Sequence, residues 1–281
     1  MNTLVIFFTY QCNYKCPYCI LNTDKINIPD NCFVWSNESK SKCFQHISDN
    51  NIKNIIIMGG EPLLYPNEVI DIVEFCNINN IKLSITSNGS LLTPQLVNYF
   101  NKNKIYLLLS ISCFGYKNIE LLLNNSNKDI IKLIKSLHNK SIRIVYDKNY
   151  SLSTDVTILH ELFNCTVEVS CDFTEMKSVD HKELDYIENE IAKLEQYHTD
   201  ISWFSLVPFN KNYTYTTDTI HPNGKIIKGP DKENAFISFY ENTRLFTNMN
   251  IDILNRYICM GKYLAYNDTY TRTKLDKKCN L

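Results

Sequence analysis

The N-terminus of this chain reads LVIFFTYQCNYKCPYC over residues 4–19. The apolar run Leu4–Phe8 predicts a β-strand, and the cysteines Cys12, Cys16 and Cys19 follow it in one loop. Three thiolates in one loop can hold one inorganic centre. Because a four-iron cluster is usually closed by a fourth thiolate, a cluster on this loop would keep one iron open to another ligand.

Two other kinds of site use closely spaced cysteines. A structural zinc site needs a fourth Cys or His with tetrahedral spacing, whereas the nearest further thiol is Cys32 and His46 is more distant. A disulfide with a spare cysteine fits a secreted chain better. The spacing therefore favours an iron–sulfur cluster over both.

The spacing Cys-x-x-x-Cys-x-aromatic-Cys after a first strand resembles the signature of the radical S-adenosylmethionine (radical SAM) superfamily. In that family the open iron chelates SAM, an electron from the cluster cleaves it, and a 5′-deoxyadenosyl radical abstracts hydrogen from the substrate. The resemblance implies a [4Fe-4S] cluster on Cys12, Cys16 and Cys19, with SAM as a further cofactor and Tyr18 near its adenine. It also implies an electron donor such as flavodoxin or ferredoxin.

Composition limits the other classes of protein. The 281 residues suffice for one large domain, or one domain with an extension, and 44% hydrophobic residues can form a substantial core. A formal net charge of -1 gives no electrostatic reason to expect nucleic acid or an anionic membrane as partner. Eleven cysteines without a paired framework, and the lack of a signal segment or membrane-spanning run, predict a cytoplasmic protein.

Short β-branched runs alternate with amphipathic stretches along the chain. The predicted strands are Leu4–Phe8, Asn54–Met58, Ile81–Thr86, Ile105–Ile111, Ile142–Tyr146, Thr166–Ser170 and Trp203–Val207. The predicted helices are Glu38–Asn50, Pro66–Asn77, Pro94–Asn101, Asn127–Asn139, Thr154–Phe163 and Lys182–Tyr197. Repeated strand–helix units imply parallel strands joined by right-handed crossovers.

The roughly six units fall short of a complete barrel. We therefore expect an α/β fold built as a partial (β/α)6 TIM-type barrel, which is also the fold that the resemblance implies. Its chemistry belongs at the carboxyl ends of the strands. The predicted core covers residues 1–210, and residues 211–281 are predicted to form a small C-terminal extension that begins with hairpin and turn material.

The sequence Gly59-Gly60-Glu61-Pro62 follows the second predicted strand. Adjacent glycines let the backbone approach a ligand closely, Glu61 supplies a carboxylate acceptor, and Pro62 fixes the turn. By itself this is an ordinary tight turn. At the end of strand two, after the cysteine motif of strand one, it resembles the radical SAM motif that binds the amino group of SAM.

Two further strand ends carry polar residues that the resemblance places near SAM. Ser87 and Asn88 follow the third strand in a Ser-Asn-Gly turn, for which plain turn chemistry is the alternative. Ser110 and Ser112 end the fourth strand and share one face by the two-residue strand period. Many relatives have an aspartate in this last segment, and this chain has none there.

Arg143 lies between apolar neighbours in the fifth predicted strand. A charge inside a barrel needs a partner. The resemblance implies a bidentate pair with the SAM carboxylate, and the alternative is a salt bridge to Glu168 or Asp147. Glu168 also shares a strand face with Ser170 and Asp172, which are candidates for substrate contact or for an exposed edge.

Cys259 and Cys279 lie in a C-terminal segment that faintly resembles the opening of auxiliary-cluster domains (SPASM or twitch type) in peptide-modifying radical SAM enzymes. The closely spaced later cysteines of that pattern are missing. We expect a degenerate remnant without a second cluster. The six histidines show no ligand spacing and are interpreted as surface or packing residues.

These observations predict an enzyme that reductively cleaves SAM and modifies a peptide or protein with the resulting radical. Viperin-like nucleotide-modifying enzymes and glycyl-radical-activating enzymes are alternatives within the same superfamily, so a small molecule stays open as the substrate. A non-catalytic iron–sulfur or zinc-binding module is the third alternative. The Gly59–Pro62 turn speaks against it, because such a module needs no SAM site.

Overall fold

The computed structural model describes residues 3–16, 18–19, 35–111, 128–145, 151–170, 182, 186, 189–190, 193, 201–204 and 217–227. Within these residues one sheet contains β1 (Thr3–Phe7), β2 (Asn54–Met58), β3 (Lys82–Ser87), β4 (Tyr106–Ser110), β5 (Lys140–Val145), β6 (Thr166–Ser170), β7 (Ile201–Phe204), β8 (Thr217–Ile220) and β9 (Ile226–Ile227). The helices that accompany it are α1 (Asn37–Asp49), a 3₁₀ helix (Pro62–Leu64), α2 (Pro66–Ile78), α3 (Pro94–Lys102), α4 (Lys128–Ser136) and α5 (Leu152–Phe163).

The strand order in the sheet is β7-β6-β5-β4-β3-β2-β1-β8-β9. Neighbouring strands are parallel from β7 through to β8, and β9 is antiparallel to β8. Parallel neighbours place the carboxyl ends of β1 to β8 at one edge of the sheet. The predicted α/β fold, a partial TIM-type barrel, is confirmed by this arrangement.

The helices begin where the sequence supplies capping residues. Ser36, Thr93 and Ser151 precede α1, α3 and α5, and each side chain accepts a hydrogen bond from the backbone N–H three residues later. Because Ser151 is the cap, α5 begins at Leu152 and not at the predicted Thr154.

The two faces of the sheet differ in burial. On the face that packs against the helices, Ile55, Ile57, Ile85 and Leu109 are at most 1% exposed and belong to one continuous core. The alternate positions of β2 to β6 are mostly half-buried. The near-continuous isoleucine of β2 predicts burial on both faces, whereas its middle residue Ile56 is only half-buried. The second face is therefore the less buried of the two.

The strand β8 joins the sheet beside β1. The sequence predicts hairpin and turn material here, and β8 and β9 do form an antiparallel hairpin. The parallel pairing of β8 with β1 is not predicted from the sequence. It is reinforced by α1, where His46 Nε2 lies 2.8 Å from the buried Asp218 carboxylate. Consequently β1 has neighbours on both sides, and the cysteine loop leaves from the interior of the sheet. The domain boundary near residue 210 stays a prediction.

Some predictions fall on residues that are not described. The helix predicted over Lys182–Tyr197 is described only at five positions, of which residues 182, 186, 189 and 190 are helical. Outside the described residues lie Ser112, Asp147, Asp172, Cys259 and Cys279. Within the described ranges, no helix has both the length and the apolar character that crossing a membrane requires.

Candidate active site

Three turns meet at the carboxyl edge of the sheet. The cysteine loop (residues 9–19) follows β1, the glycine turn (Gly59–Pro62) follows β2, and the serine turn (Ser87–Ser90) follows β3. Because β1, β2 and β3 are adjacent and parallel, these segments are neighbours in space although they are distant in the chain.

The glycine turn is joined to the cysteine loop through the backbone. The Gly60 N–H donates to the Thr9 carbonyl at 2.6 Å, and the Glu61 N–H donates to the Gln11 carbonyl at 2.8 Å. A Cβ atom at Gly60 would lie 1.9 Å from the Gln11 oxygen, and one at Gly59 would lie 2.3 Å from the Thr9 oxygen. The close approach that the paired glycines allow is therefore made by the cysteine loop.

The Glu61 carboxylate is enclosed where these turns meet, and the residue is 0% exposed. Its Oε1 accepts from the Leu63 N–H at 2.9 Å and from the Ser87 hydroxyl at 2.8 Å, and its Oε2 accepts from the Asn88 N–H at 2.7 Å. Burial raises the pKa of Glu61, and the three hydrogen bonds oppose that rise by favouring the charged form. The side chain ties the glycine turn to the serine turn. Binding of the SAM amino group by Gly59–Pro62 stays a prediction.

The serine turn is also nearly enclosed, with Ser87 2% and Asn88 6% exposed. The Ser87 hydroxyl accepts from the Gly89 N–H at 3.0 Å in addition to donating to Glu61. The Asn88 carboxamide reaches the cysteine loop, where it donates to Asn13 at 2.9 Å. Turn chemistry, the alternative for these residues, is present in the structure, and a SAM contact by either stays a prediction.

The cysteines of the loop differ in exposure: Cys12 is exposed, Cys16 is buried and Cys19 is half-buried. The Tyr14 N–H donates to the Cys12 sulfur at 3.4 Å, and the Cys19 N–H donates to the Cys16 carbonyl at 3.0 Å. Tyr18, the predicted adenine neighbour, is half-buried.

Among the described residues, no three His, Cys, Asp or Glu side chains are grouped so as to hold one metal ion. In a four-iron cluster each thiolate binds its own iron, so the ligands need not converge on one ion. Three thiols on one loop, one of which accepts an N–H, are a donor set that fits such a cluster. The assignment of Cys12, Cys16 and Cys19 as ligands stays a prediction.

Arg143 and Glu168 form an ion pair on the half-buried face of β5 and β6. The guanidinium Nε and Nη2 lie 3.1 and 2.8 Å from Glu168 Oε2, and the side chains are 17% and 20% exposed. Ser110 is the register partner of Arg143 on the other side. The salt bridge that the sequence offers as the alternative for Arg143 is therefore present, and contacts of Arg143 and Ser110 with SAM stay predictions.

A contact that the sequence does not reveal lies beside the cysteine loop. The Tyr10 hydroxyl is hydrogen-bonded to Nδ1 of His221, whose ring stacks on Phe7 with centroids 5.6 Å apart. Burial, with a smaller effect of Lys225, lowers the pKa of His221 to about 4. His221 is thus neutral at pH 7. No local signal could find it, because its position depends on the long-range pairing of β8 with β1.

Comparison with known families gives a match over the region that contains these turns. A family model of the Radical SAM superfamily matches residues 6–155, which is more than half of the chain.

Individual relatives are distant. The chain is 24% identical over 187 residues to the radical SAM cyclopropyl synthase TigE of Paramaledivibacter caminithermalis, covering 60% of this chain and 38% of that protein. It is 31% identical over 114 residues to an S-adenosylmethionine-dependent nucleotide dehydratase of Oncorhynchus mykiss, covering 39% of this chain and 30% of that protein. The chain thus spans less than two thirds of the length of these relatives.

A solved structure shares the fold. Streptococcus suis SuiB bound to its precursor peptide SuiA superposes with a TM-score of 0.59 at 18% identity. The similarity covers 90% of this chain and 65% of that protein. Such a likeness supports the fold.

Proposed function

This chain belongs to the radical SAM superfamily, and on that premise we propose that it is an enzyme that reductively cleaves SAM at a [4Fe-4S] cluster. The proposed ligands are Cys12, Cys16 and Cys19. When bound, the cluster and SAM supply the radical chemistry, in which one electron cleaves SAM and the 5′-deoxyadenosyl radical takes hydrogen from the substrate. The observation that carries the proposal is the backbone junction of the glycine turn with the cysteine loop.

The residues of the three turns have distinct roles in this proposal. Glu61 fixes the backbone of the glycine turn, so Gly59 and Gly60 present a rigid edge beside the cluster ligands. Rigid placement of reacting groups is a main contribution that a protein makes to such chemistry. Tyr18 is proposed to lie near the adenine, and Arg143 near the SAM carboxylate, because a guanidinium binds carboxylates in a bidentate geometry.

The direct test is incubation of the anaerobically reconstituted chain with SAM and dithionite, with 5′-deoxyadenosine as the readout. The proposed activity predicts its formation in the wild type and its loss in Cys16→Ala. Formation at the wild-type level in that variant would contradict the ligand assignment. A chain that binds one zinc and no SAM would instead support the non-catalytic module.

We further propose that the substrate is a peptide or protein side chain. SuiB, which shares this fold over 90% of the chain, has been crystallised with a precursor peptide. The cysteine-bearing C-terminal segment, with its faint likeness to peptide-modifying enzymes, points the same way. A nucleotide is the second candidate, because the chain is 31% identical to the nucleotide dehydratase of Oncorhynchus mykiss. It ranks second because that similarity covers only 39% of the chain.

Deuterium transfer distinguishes the two substrate classes. The reaction is run either with perdeuterated peptides from a whole-cell digest or with perdeuterated nucleoside triphosphates. A peptide-modifying enzyme is expected to produce deuterated 5′-deoxyadenosine with the peptides only. Deuterium transfer from a nucleoside triphosphate, with a modified nucleotide as product, would overturn the peptide proposal.

The electron donor in the cell is proposed to be a flavodoxin or ferredoxin.

A further inference from the structure

We propose that Asn88 positions the cluster ligands: its carboxamide holds the cysteine loop and donates toward the Cys12 sulfur, and it does not bind SAM. This inference rests on the proposed function, because it takes Cys12 as a ligand of the cluster.

A closed ring of three side chains joins the serine turn to the cysteine loop. Asn88 Nδ2 donates to Asn13 Oδ1 at 2.9 Å, Asn13 Nδ2 donates to Ser90 Oγ at 2.9 Å, and Ser90 Oγ donates to Asn88 Oδ1 at 2.6 Å. Since each member donates to the next, every bond polarises its neighbours in the same sense. The ring therefore holds Asn13, and with it the adjacent Cys12, in a fixed place.

The orientation of the Asn88 amide is determined by its surroundings. Its Oδ1 accepts a second hydrogen bond, from the Ser90 backbone N–H at 2.9 Å. A backbone N–H can only donate, so the atom that faces it is the oxygen. The nitrogen then points to the cysteine loop.

The donors and the acceptor of this amide all have partners within the chain, and the contact with sulfur is the longest of them. A carboxamide has two N–H donors and an oxygen with two lone pairs. The oxygen takes both donors of Ser90, one N–H goes to Asn13, and the nitrogen lies 4.0 Å from the Cys12 sulfur. Asn88 is also only 6% exposed. A contact with SAM would therefore have to break a bond that already exists.

Two N–H groups are directed at the Cys12 sulfur, from the Tyr14 backbone at 3.4 Å and from the Asn88 amide at 4.0 Å. Hydrogen bonds to the sulfurs are one of the factors that set the reduction potential of a cluster. An N–H donor stabilises negative charge on a thiolate and hence the reduced state. Asn88 is thus expected to raise the cluster potential as well as to retain the loop.

The test compares two variants in the reconstituted full chain. Asn88→Asp keeps the shape and the acceptor for Ser90, but it replaces both donors with an oxygen that faces Asn13 and Cys12. We expect iron loss to a chelator to become about tenfold faster, as for other residues that orient metal ligands, and the cluster potential to become more negative. Ser90→Ala, the matched control, opens the ring and leaves the Asn88 amide near Cys12. It should speed iron loss less and leave the potential unchanged.

If circular dichroism shows that Asn88→Asp does not fold, Asn88→Ala removes the donors without adding charge, and the same two shifts are expected. If the rate of iron loss and the cluster potential are unchanged in the Asn88 variants, the inference is overturned. Weakened SAM binding would then indicate that Asn88 contacts SAM, and normal SAM binding would indicate that it serves only the turn. A wild-type chain that takes up no cluster would instead overturn the proposed function, and this inference with it.

Discussion

Two polar clusters of the sheet, one around Glu61 and one formed by Arg143 and Glu168, differ in burial. Glu61 is 0% exposed and accepts three hydrogen bonds from the ends of β2 and β3. In the Arg143–Glu168 pair, Nε and Nη2 of Arg143 donate to one carboxylate oxygen of Glu168, and the side chains are 17% and 20% exposed. A fully buried carboxylate that accepts three hydrogen bonds fixes the backbone around it, whereas a partly exposed ion pair keeps some access to solvent. The first cluster joins two turns of the candidate site, and a contact of the second cluster with SAM stays a prediction.

The largest effect is expected at Glu61. Glu61→Ala leaves buried N–H and hydroxyl donors without an acceptor, so the free energy of unfolding should fall by about 3–5 kcal/mol. Arg143→Ala should cost less, about 2 kcal/mol, because its side chain and that of Glu168 retain some access to water. Urea denaturation of the reduced, iron-free protein measures both. Equal losses in the two variants would remove the distinction between the clusters.

The next prediction concerns the backbone junction between the glycine turn and the cysteine loop. Gly60→Ala puts a Cβ atom 1.9 Å from the Gln11 oxygen, so the backbone must move, at a cost of about 3 kcal/mol. The control is Gly89→Ala, where φ is +73° and the nearest atom is 3.3 Å away in the Leu109 side chain. It should cost about 1 kcal/mol, from the left-handed conformation alone. A Gly89 variant that loses as much stability would show that contact with the cysteine loop is not the cause.

The half-buried pair is expected to affect binding more than stability. Arg143→Lys keeps the charge but loses the planar fork, so the Kd for SAM should rise about tenfold. Isothermal titration of the reconstituted protein measures it. Lys140→Ala, at the amino end of the same strand, is the control and should bind SAM normally. Wild-type affinity in Arg143→Lys would mean that the ion pair serves the fold alone.

The smallest effect concerns pH and His221. Its pKa is lowered to about 4 by burial and Lys225, so the unfolded chain binds the proton more readily. Stability is therefore complete above the unfolded pKa of about 6.5 and declines as the pH falls toward 4, by about 1 kcal/mol at pH 5.5. His221→Asn keeps an acceptor for Tyr10 and should lose this part of the pH dependence. If urea denaturation gave the same pH profile of stability for wild type and His221→Asn, the assignment of this pH dependence to His221 would be contradicted.

Much of the fold follows from local signals. Strand–helix alternation predicts the parallel sheet, and Thr93 and Pro94 predict the start of α3. These succeed because capping and periodicity depend on neighbours in the chain. The pairing of β8 with β1 is not local, which is why the sequence around β8 predicts only hairpin and turn material.

The candidate site can likewise be predicted where local motifs determine it and not where long-range contacts do. The motif order predicts correctly that the glycine turn and the cysteine loop share one edge of the sheet. The sequence cannot show that the Glu61 side chain is enclosed, or that Asn13, Asn88 and Ser90 close a ring, because these contacts join three separate turns. Asparagine is also common in this chain, so no single one stands out.

The central claim is that the cysteine loop holds a four-iron cluster, and the most direct measurement is iron content after anaerobic reconstitution. Wild type should bind about four irons per chain with a visible charge-transfer band, and Cys12→Ala, Cys16→Ala and Cys19→Ala should each lose them. Cys165→Ala is the control, since Cys165 is half-buried at the amino end of β6, where burial raises its pKa to about 11. It should keep the full cluster. Full iron in any of the three loop variants would contradict the account.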